Sequence, residues 1–125
     1  MYGRKTVLVA EDEGVIALDL SIFLNLNNFD VVQVRTGKNL LLKYQEHNPS
    51  LIISDLKLIR VNLSLQTALM EINKHYGIPV IIISGESESE IKKIASSFSN
   101  CTYLIKPFDN NELLRMILSI IKGES

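Results

Sequence analysis

The residues Leu51-Ile52-Ile53-Ser54 form a short, mostly apolar run that leads directly into a carboxylate, Asp55. Such a run, without alternation of polar and apolar residues, is typical of a strand that helices cover on both faces, as in a parallel sheet. Asp55 is then expected at the carboxyl end of this strand. Because open α/β sheets bind ligands in the crevice outside those ends, Asp55 is a candidate functional residue, although a lone aspartate there also fits an ordinary loop.

The rest of the sequence repeats this strand pattern in alternation with helical patterns. Strands are predicted at residues 7–10, 30–35, 51–54, 79–84 and 102–105, and helices at 14–27, 39–46, 65–75, 87–97 and 109–122. Residues 56–63 are expected to be irregular. Repeated βα units predict a parallel sheet with helices on both faces and right-handed crossovers. The predicted fold is therefore α/β, a flavodoxin-like doubly wound sheet of five parallel strands in the order 2-1-3-4-5 with five helices.

Two capping patterns mark the starts of the last two predicted helices. Ser87 and Glu90 fit the S-x-x-E capping box, and Asp109 with Glu112 gives a similar signal. A cap of this kind contributes about 1 kcal/mol to the start of a helix.

Length, composition and charge favour one soluble domain over residues 1–125. The chain is 46% hydrophobic, enough for a core, and its net charge of −1 indicates binding of neither nucleic acid nor an anionic membrane. No segment has the length of a membrane span or of a signal-peptide core. The single cysteine, Cys101, excludes an intramolecular disulfide and fits a reducing compartment, so a cytoplasmic domain is expected.

The predicted strand order brings polar residues from several strands to one edge of the sheet. Glu11, Asp12 and Asp55 are expected in one cleft, and Ser84 and Lys106 arrive from the next two strands. Clustered carboxylates repel one another and raise each other's pKa. Three carboxylates beside one lysine leave a deficit of about two positive charges, which one divalent cation supplies in an oxygen-rich site. Mg²⁺, held by carboxylates, water and phosphate oxygens, is the predicted cofactor.

This arrangement suits phosphoryl transfer. A carboxylate such as Asp55 can attack phosphorus and form an aspartyl phosphate. The metal ion and Lys106 would hold the equatorial oxygens of the phosphoryl group, and Ser84 would donate its hydroxyl to one of them. Taken singly, each residue also has a structural interpretation: the serine as a strand-end cap, the lysine as a solvated charge, and the acidic pair Glu11-Asp12 as a favoured start of a helix.

The chain carries four motifs in order: V-L-V-A-E-D-E, L-I-I-S-D, I-I-I-S-G and Y-L-I-K-P-F. Together they resemble the receiver domain of two-component response regulators over essentially the whole chain. The resemblance implies that Asp55 accepts a phosphoryl group from the phosphohistidine of a sensor histidine kinase. The chain would then be a phosphorylation-activated signalling switch and not an enzyme with a separate substrate, although it would catalyse its own phosphotransfer and slow autodephosphorylation.

The resemblance also implies roles for the residues around Asp55. Asp12 and Asp55 would bind Mg²⁺ together with the backbone carbonyl of Lys57, and Glu11 would assist through the water shell of the ion. Contacts to the phosphoryl group are implied for Ser84 and Lys106.

A conformational switch is part of the same resemblance. Tyr103 matches the switch aromatic of the family, which swings inward when the hydroxyl residue, here Ser84, moves; its structural alternative is a half-buried strand residue. The surface around these two residues and the last two helices is expected to change on phosphorylation. It would serve for homodimerisation, or for docking to a downstream protein partner or a covalently attached output domain.

Residues 56–65 depart from many receivers, which carry Met-Pro and then Gly after the acceptor, because this stretch contains neither Pro nor Gly. Its slightly greater length resembles receivers associated with sensor histidine kinases and leaves its conformation open.

Lys57 and Glu86 lie two residues beyond Asp55 and Ser84 and are expected to flank the phosphate. Pairing of their opposite charges would hinder the attacking water and slow self-dephosphorylation.

Three other functions stay open on the residues alone. A metal-dependent phosphatase would also form an aspartyl phosphate, but it usually needs a second acid near the nucleophile, where this chain has Lys57. A flavin or dinucleotide site is disfavoured, because the first loop is acidic and lacks G-x-G-x-x-G. A receiver-like module that is never phosphorylated would show no response to acetyl phosphate or beryllium fluoride with Mg²⁺.

Overall fold

The computed structural model of the chain describes residues 4–123, so the predicted domain of residues 1–125 extends beyond the described residues at both ends. The strands are β1 Lys5–Ala10, β2 Phe29–Gln33, β3 Leu51–Asp55, β4 Val80–Ser84 and β5 Cys101–Ile105. All neighbouring strands are parallel, and their order is β2-β1-β3-β4-β5. The predicted sheet and its order are confirmed.

The helices are α1 Gly14–Leu26, α2 Gly37–His47, α3 Leu56–Val61, α4 Leu63–Tyr76, α5 Glu88–Ala95 and α6 Asn110–Gly123. The prediction of five helices is wrong for the described residues, because the stretch expected to be irregular forms α3 and the first turn of α4. Leu56, Leu58 and Ile59 of α3 are buried, and no Pro or Gly breaks the helix. Asn62 separates the two helices, and its side chain caps α4.

Helices cover both faces of the sheet. α2, α3, α4 and α5 pack on one face, and α1 and α6 pack on the other. Every residue of β3 and β4 is buried, which explains why these strands show no polar alternation. Asp55 and Ser84, the last residues of β3 and β4, are therefore held on a closely packed base.

Among the described helices, none is long and apolar enough to cross a lipid bilayer.

The two capping predictions have different outcomes. Asp109 does cap α6, since its carboxylate accepts a hydrogen bond from the Asn111 N–H at 2.8 Å. Ser87 precedes α5, but its side chain makes no capping hydrogen bond, so the predicted capping box is wrong. The Ser87 hydroxyl instead lies 3.2 Å from that of Ser89, and the Glu90 carboxylate binds Arg60 on α3.

Candidate functional site

The functional candidates meet at the carboxyl edge of the sheet. Glu11 and Asp12 follow β1, Asp55 ends β3, Ser84 ends β4, and Lys106 follows β5. The parallel register pairs Ala10 with Ser54, Asp55 with Ile83, and Ser84 with Ile105, so these strands end at the same level. The structure thus brings together the side chains that the sequence assigned to one cleft.

Three acidic side chains form a tight cluster next to the ammonium group of Lys106. Ligand oxygen atoms of Glu11, Asp12 and Asp55 all lie within 4.8 Å of one another. The Lys106 Nζ lies 3.3 Å from Glu11 Oε1 and 3.3 Å from Asp55 Oδ1. Lys106 therefore pairs with two of the three carboxylates, and the cluster keeps a surplus of negative charge.

Burial sharpens the electrostatics of this cluster. Glu11 is 1% exposed and Asp55 is 5% exposed, whereas Asp12 faces solvent. Burial raises the pKa of Glu11, and the negative charge of Asp55 raises it further. A hydrogen bond from the Glu13 N–H and the nearby ammonium of Lys106 lower it. The net pKa of Glu11 lies above its ordinary value. Glu11 consequently ionises less readily than a free glutamate unless further positive charge is present.

The pKa of Lys106 is also raised, which for a lysine favours the charged form. Burial of the Lys106 ammonium lowers its pKa, but the charges of Asp55 and Glu11, together with their hydrogen bonds, outweigh this effect and raise the net pKa. Lys106 therefore carries its positive charge at neutral pH and points it at the end of Asp55.

The residues present fit a hard divalent cation. The donor set consists of carboxylate oxygens, and the exposure of Asp12 leaves one side of the cluster open to water. Mg²⁺ prefers such a site, because it dehydrates reluctantly and binds through one or two carboxylates while it keeps several waters. The backbone carbonyl of Lys57 lies in the first turn of α3, and its role as a further ligand stays a prediction.

A family model for the response regulator receiver domain matches residues 7–118. The chain belongs to this family. Response regulator ArlR of Staphylococcus aureus strain Mu50 is 33% identical over 118 residues, which cover 94% of this chain and 53% of ArlR. The chain thus spans about half the length of the curated relatives it matches.

Solved structures agree with this assignment. The Francisella response regulator 1452 receiver domain is 27% identical, with a TM-score of 0.77 over 98% of this chain and 100% of that one. The signal receiver domain of an HD domain-containing protein from Pseudomonas fluorescens Pf-5 is 22% identical and shares the fold, with a TM-score of 0.81 over 96% of each chain. The resemblance of residues 56–65 to receivers that are associated with sensor histidine kinases stays a prediction.

In this receiver domain the hydroxyl of Ser84 is directed into its own loop. The Oγ accepts a hydrogen bond from the Glu86 N–H at 2.9 Å. Ser84 nevertheless lines a cavity of about 230 Å³ that also exposes Asp55, Lys57 and Lys106. Ser84 therefore lies beside the space that a group bound at Asp55 would occupy.

Tyr103 is a half-buried residue of β5 whose side chain packs against the core. Its hydroxyl donates a hydrogen bond of 2.8 Å to Glu88 Oε1, in the first turn of α5, and Lys92 Nζ lies 3.3 Å from the same oxygen. The hydrogen bond to the Glu88 carboxylate raises the pKa of the Tyr103 phenol. The residue predicted as a switch is thus half-buried, and its hydroxyl is tied to α5.

Lys57 and Glu86 flank the cavity as predicted, but their expected ion pair is wrong. Both residues line the cavity, and the Glu86 carboxylate pairs with Arg60. Among the salt bridges of residues 4–123, none joins Lys57 to Glu86. The sequence interpretation missed Arg60 because it treated residues 56–63 as irregular; on a helix, Arg60 follows Lys57 by about one turn and lies on the same side.

Proposed function

We propose that this receiver domain is the phosphoacceptor switch of a two-component system, in which Asp55 takes a phosphoryl group from a histidine kinase in a Mg²⁺-dependent reaction. One observation carries this proposal: Asp55 is buried in an acidic cluster, with its Oδ1 3.3 Å from the Lys106 Nζ. A carboxylate so placed borders an open cavity that Lys106 also lines, which suits an attack on phosphorus.

In the proposed reaction a carboxylate oxygen of Asp55 forms a bond to phosphorus while the phosphorus–nitrogen bond of the phosphohistidine breaks. The electron pair of that bond stays on the imidazole. Asp12 and Asp55 would hold Mg²⁺, and Glu11 would bind its water shell. The ion would neutralise charge on the phosphoryl oxygens. Lys106 would bind one of these oxygens through its charged ammonium.

The exposed face of α1 is the proposed docking surface for the kinase. Its exposed aliphatic residues are Val15, Leu18, Ile22 and Leu26. They lie on one side of the helix, because spacings of three and four residues return to the same face. An apolar cavity of about 600 Å³ joins this face to the site, since both Val15 and Lys106 line it. A partner helix packed there would bring a phosphohistidine toward Asp55.

Phosphorylation would act on the surface built from α5, β5 and α6. The Ser84 hydroxyl would leave the Glu86 N–H for a phosphoryl oxygen, and Tyr103 would give up Glu88 and move inward. The changed surface would form a homodimer or bind a downstream partner or an attached output domain, in the cytoplasm and without direct contact to nucleic acid or membrane. Lys57 and Glu86, which flank the cavity, would set the lifetime of the phosphoryl group.

Acetyl phosphate with Mg²⁺ tests the proposed function. We expect the wild type to gain a hydroxylamine-sensitive phosphoryl group, because acyl phosphates react with hydroxylamine. Asp55→Asn should gain none, and chelation of Mg²⁺ should abolish the gain. The matched control Asp30→Asn removes an exposed aspartate on β2 and should be phosphorylated like the wild type. Equal labelling of Asp55→Asn, or labelling without a divalent cation, would refute the proposal.

A further inference from the structure

Arg60 of α3 binds two glutamates, Glu86 and Glu90. Its Nη1 binds the Glu86 carboxylate, and its Nη2 lies 2.9 Å from Glu90 Oε2. Glu86 lines the cavity, whereas Glu90 lies in the first turn of α5. One guanidinium therefore fastens the helix that follows Asp55 to the segment that follows Ser84, here named the 86–90 segment.

The 86–90 segment is also fastened to Ser84 itself. The Glu86 N–H donates to the Ser84 Oγ at 2.9 Å, so the hydroxyl that would contact a phosphoryl group is engaged by the residue that Arg60 holds. Turning Ser84 toward Asp55 breaks this bond and leaves the Glu86 N–H without its acceptor. The segment then has to move, or to find another partner for that N–H, and the ion pairs with Arg60 oppose such a movement.

We propose that Arg60 is a positioning residue that holds the 86–90 segment in its unphosphorylated arrangement and thereby sets how readily Ser84 turns to a phosphoryl group. The inference rests on the proposed function of Asp55, but it concerns a residue that touches neither the metal site nor the phosphoryl group. A planar guanidinium suits this role, because its fork binds two carboxylates at once, which the point charge of a lysine does not.

The attachment of Arg60 to both Glu86 and Glu90 is here named the clamp. The substitution Arg60→Lys separates the effect of the clamp from the effect of the positive charge. It keeps the positive charge near the cavity and removes the double attachment. We expect the apparent affinity for beryllium fluoride with Mg²⁺, a phosphoryl mimic, to rise about three- to tenfold, because the ligand no longer has to break two exposed ion pairs. The matched control Arg35→Lys makes the same substitution at an exposed residue that follows β2 and does not line the cavity, and it should bind within about twofold of the wild type.

A double-mutant cycle localises the effect. Arg60→Gln breaks both ion pairs and Glu90→Gln breaks one of them, so the double variant should gain little beyond Arg60→Gln alone. Glu88→Gln makes the same charge change in the same segment, but Glu88 binds Tyr103 and Lys92 and not Arg60. Its effect should therefore multiply with that of Arg60→Gln. Multiplicative effects in both cycles would show that Arg60 acts only as a distant charge and would overturn the clamp.

Amide hydrogen exchange of the unphosphorylated protein tests the clamp without any phosphoryl mimic. The Glu86 N–H should exchange faster in Arg60→Lys than in the wild type, and at the wild-type rate in Arg35→Lys. Unchanged exchange together with unchanged affinity would refute the clamp while wild-type binding still supports Asp55 as acceptor. A wild type that binds no beryllium fluoride, with faster Glu86 exchange in Arg60→Lys, would overturn the proposed function and the regulatory role but leave the clamp itself supported.

Discussion

The two ends of the sheet both bury polar side chains, and they differ in electrostatics. At the amino end, the Asn73 side chain donates to the Ile78 carbonyl at 3.0 Å and accepts from the N–H and the hydroxyl of Ser99 at 2.9 and 3.2 Å. At the carboxyl end, Glu11 and Asp55 are similarly buried, but they are ionisable and share one lysine. The amino end is neutral and saturated, and the carboxyl end is charged and undercompensated.

This difference distinguishes a structural from a functional use of buried polar groups. A buried amide with complete hydrogen bonds stabilises the chain, because each partner would otherwise lose water without replacement. Buried carboxylates with too little positive charge make the cation-free protein less stable than it would be with neutral side chains. The surplus negative charge is what a divalent cation would compensate.

The largest effect on stability is expected at the amino end. Asn73→Leu would leave the Ile78 carbonyl and the Ser99 N–H without their partner, and should lower the free energy of unfolding by about 3 kcal/mol. Urea denaturation measures this loss. The control Asn100→Ala removes one exposed hydrogen bond to the Gly77 carbonyl and should cost less than about 1 kcal/mol. Equal losses in the two variants would contradict the structural role of Asn73.

A smaller effect of opposite sign is expected at the carboxyl end. Asp55→Asn removes one of three clustered carboxylates, so in the absence of divalent cations it should raise the free energy of unfolding by about 1 kcal/mol. The measurement is urea denaturation in a chelating buffer. Asp30→Asn, which changes an exposed aspartate outside the cluster, should give no such gain. A destabilised Asp55→Asn would show that the ion pair with Lys106 outweighs the repulsion among the carboxylates.

The smallest effect is a dependence of stability on pH. Glu11 has a pKa raised above its ordinary value of 4.5, so it binds its proton more tightly in the folded protein than in the unfolded chain. Its stabilising contribution is complete below pH 4.5 and is lost as the pH rises through the folded pKa. Glu11→Gln should therefore flatten the decline in stability toward neutral pH, as measured by denaturation at several pH values. The exposed control Glu46→Gln should keep the wild-type decline; a similar flattening there would assign the effect elsewhere.

The sheet and the convergence of the site could be predicted from the sequence because both depend on the backbone. Apolar runs fix which segments are buried strands, and parallel strands end at one edge whatever their side chains are. Glu11, Asp55 and Lys106 therefore had to meet once the strand order was known. The contact of the Tyr103 hydroxyl with Glu88 was not predictable, because it depends on the local geometry of a single hydrogen bond.

The region after Asp55 shows where sequence reasoning stopped. α3 has only six residues, too few for a helical pattern to stand out, and it is stabilised by burial of Leu56, Leu58 and Ile59 in the core. Arg60 pairs with Glu86 because α3 places Arg60 about one turn beyond Lys57, on the same side of the helix. Ion pairs between exposed side chains depend on such local geometry, and charge patterns alone do not determine them.

The most direct test of the account is a Mg²⁺ titration followed by amide chemical shifts and thermal unfolding. The central claim is that Asp12 and Asp55, from separate strands, bind one divalent cation. We expect saturable stabilisation of the wild type, a loss of affinity of about tenfold or more in Asp12→Asn and in Asp55→Asn, and wild-type affinity in Asp30→Asn. Equal Mg²⁺ affinity in all of these variants, or no saturable binding by the wild type, would contradict the claim.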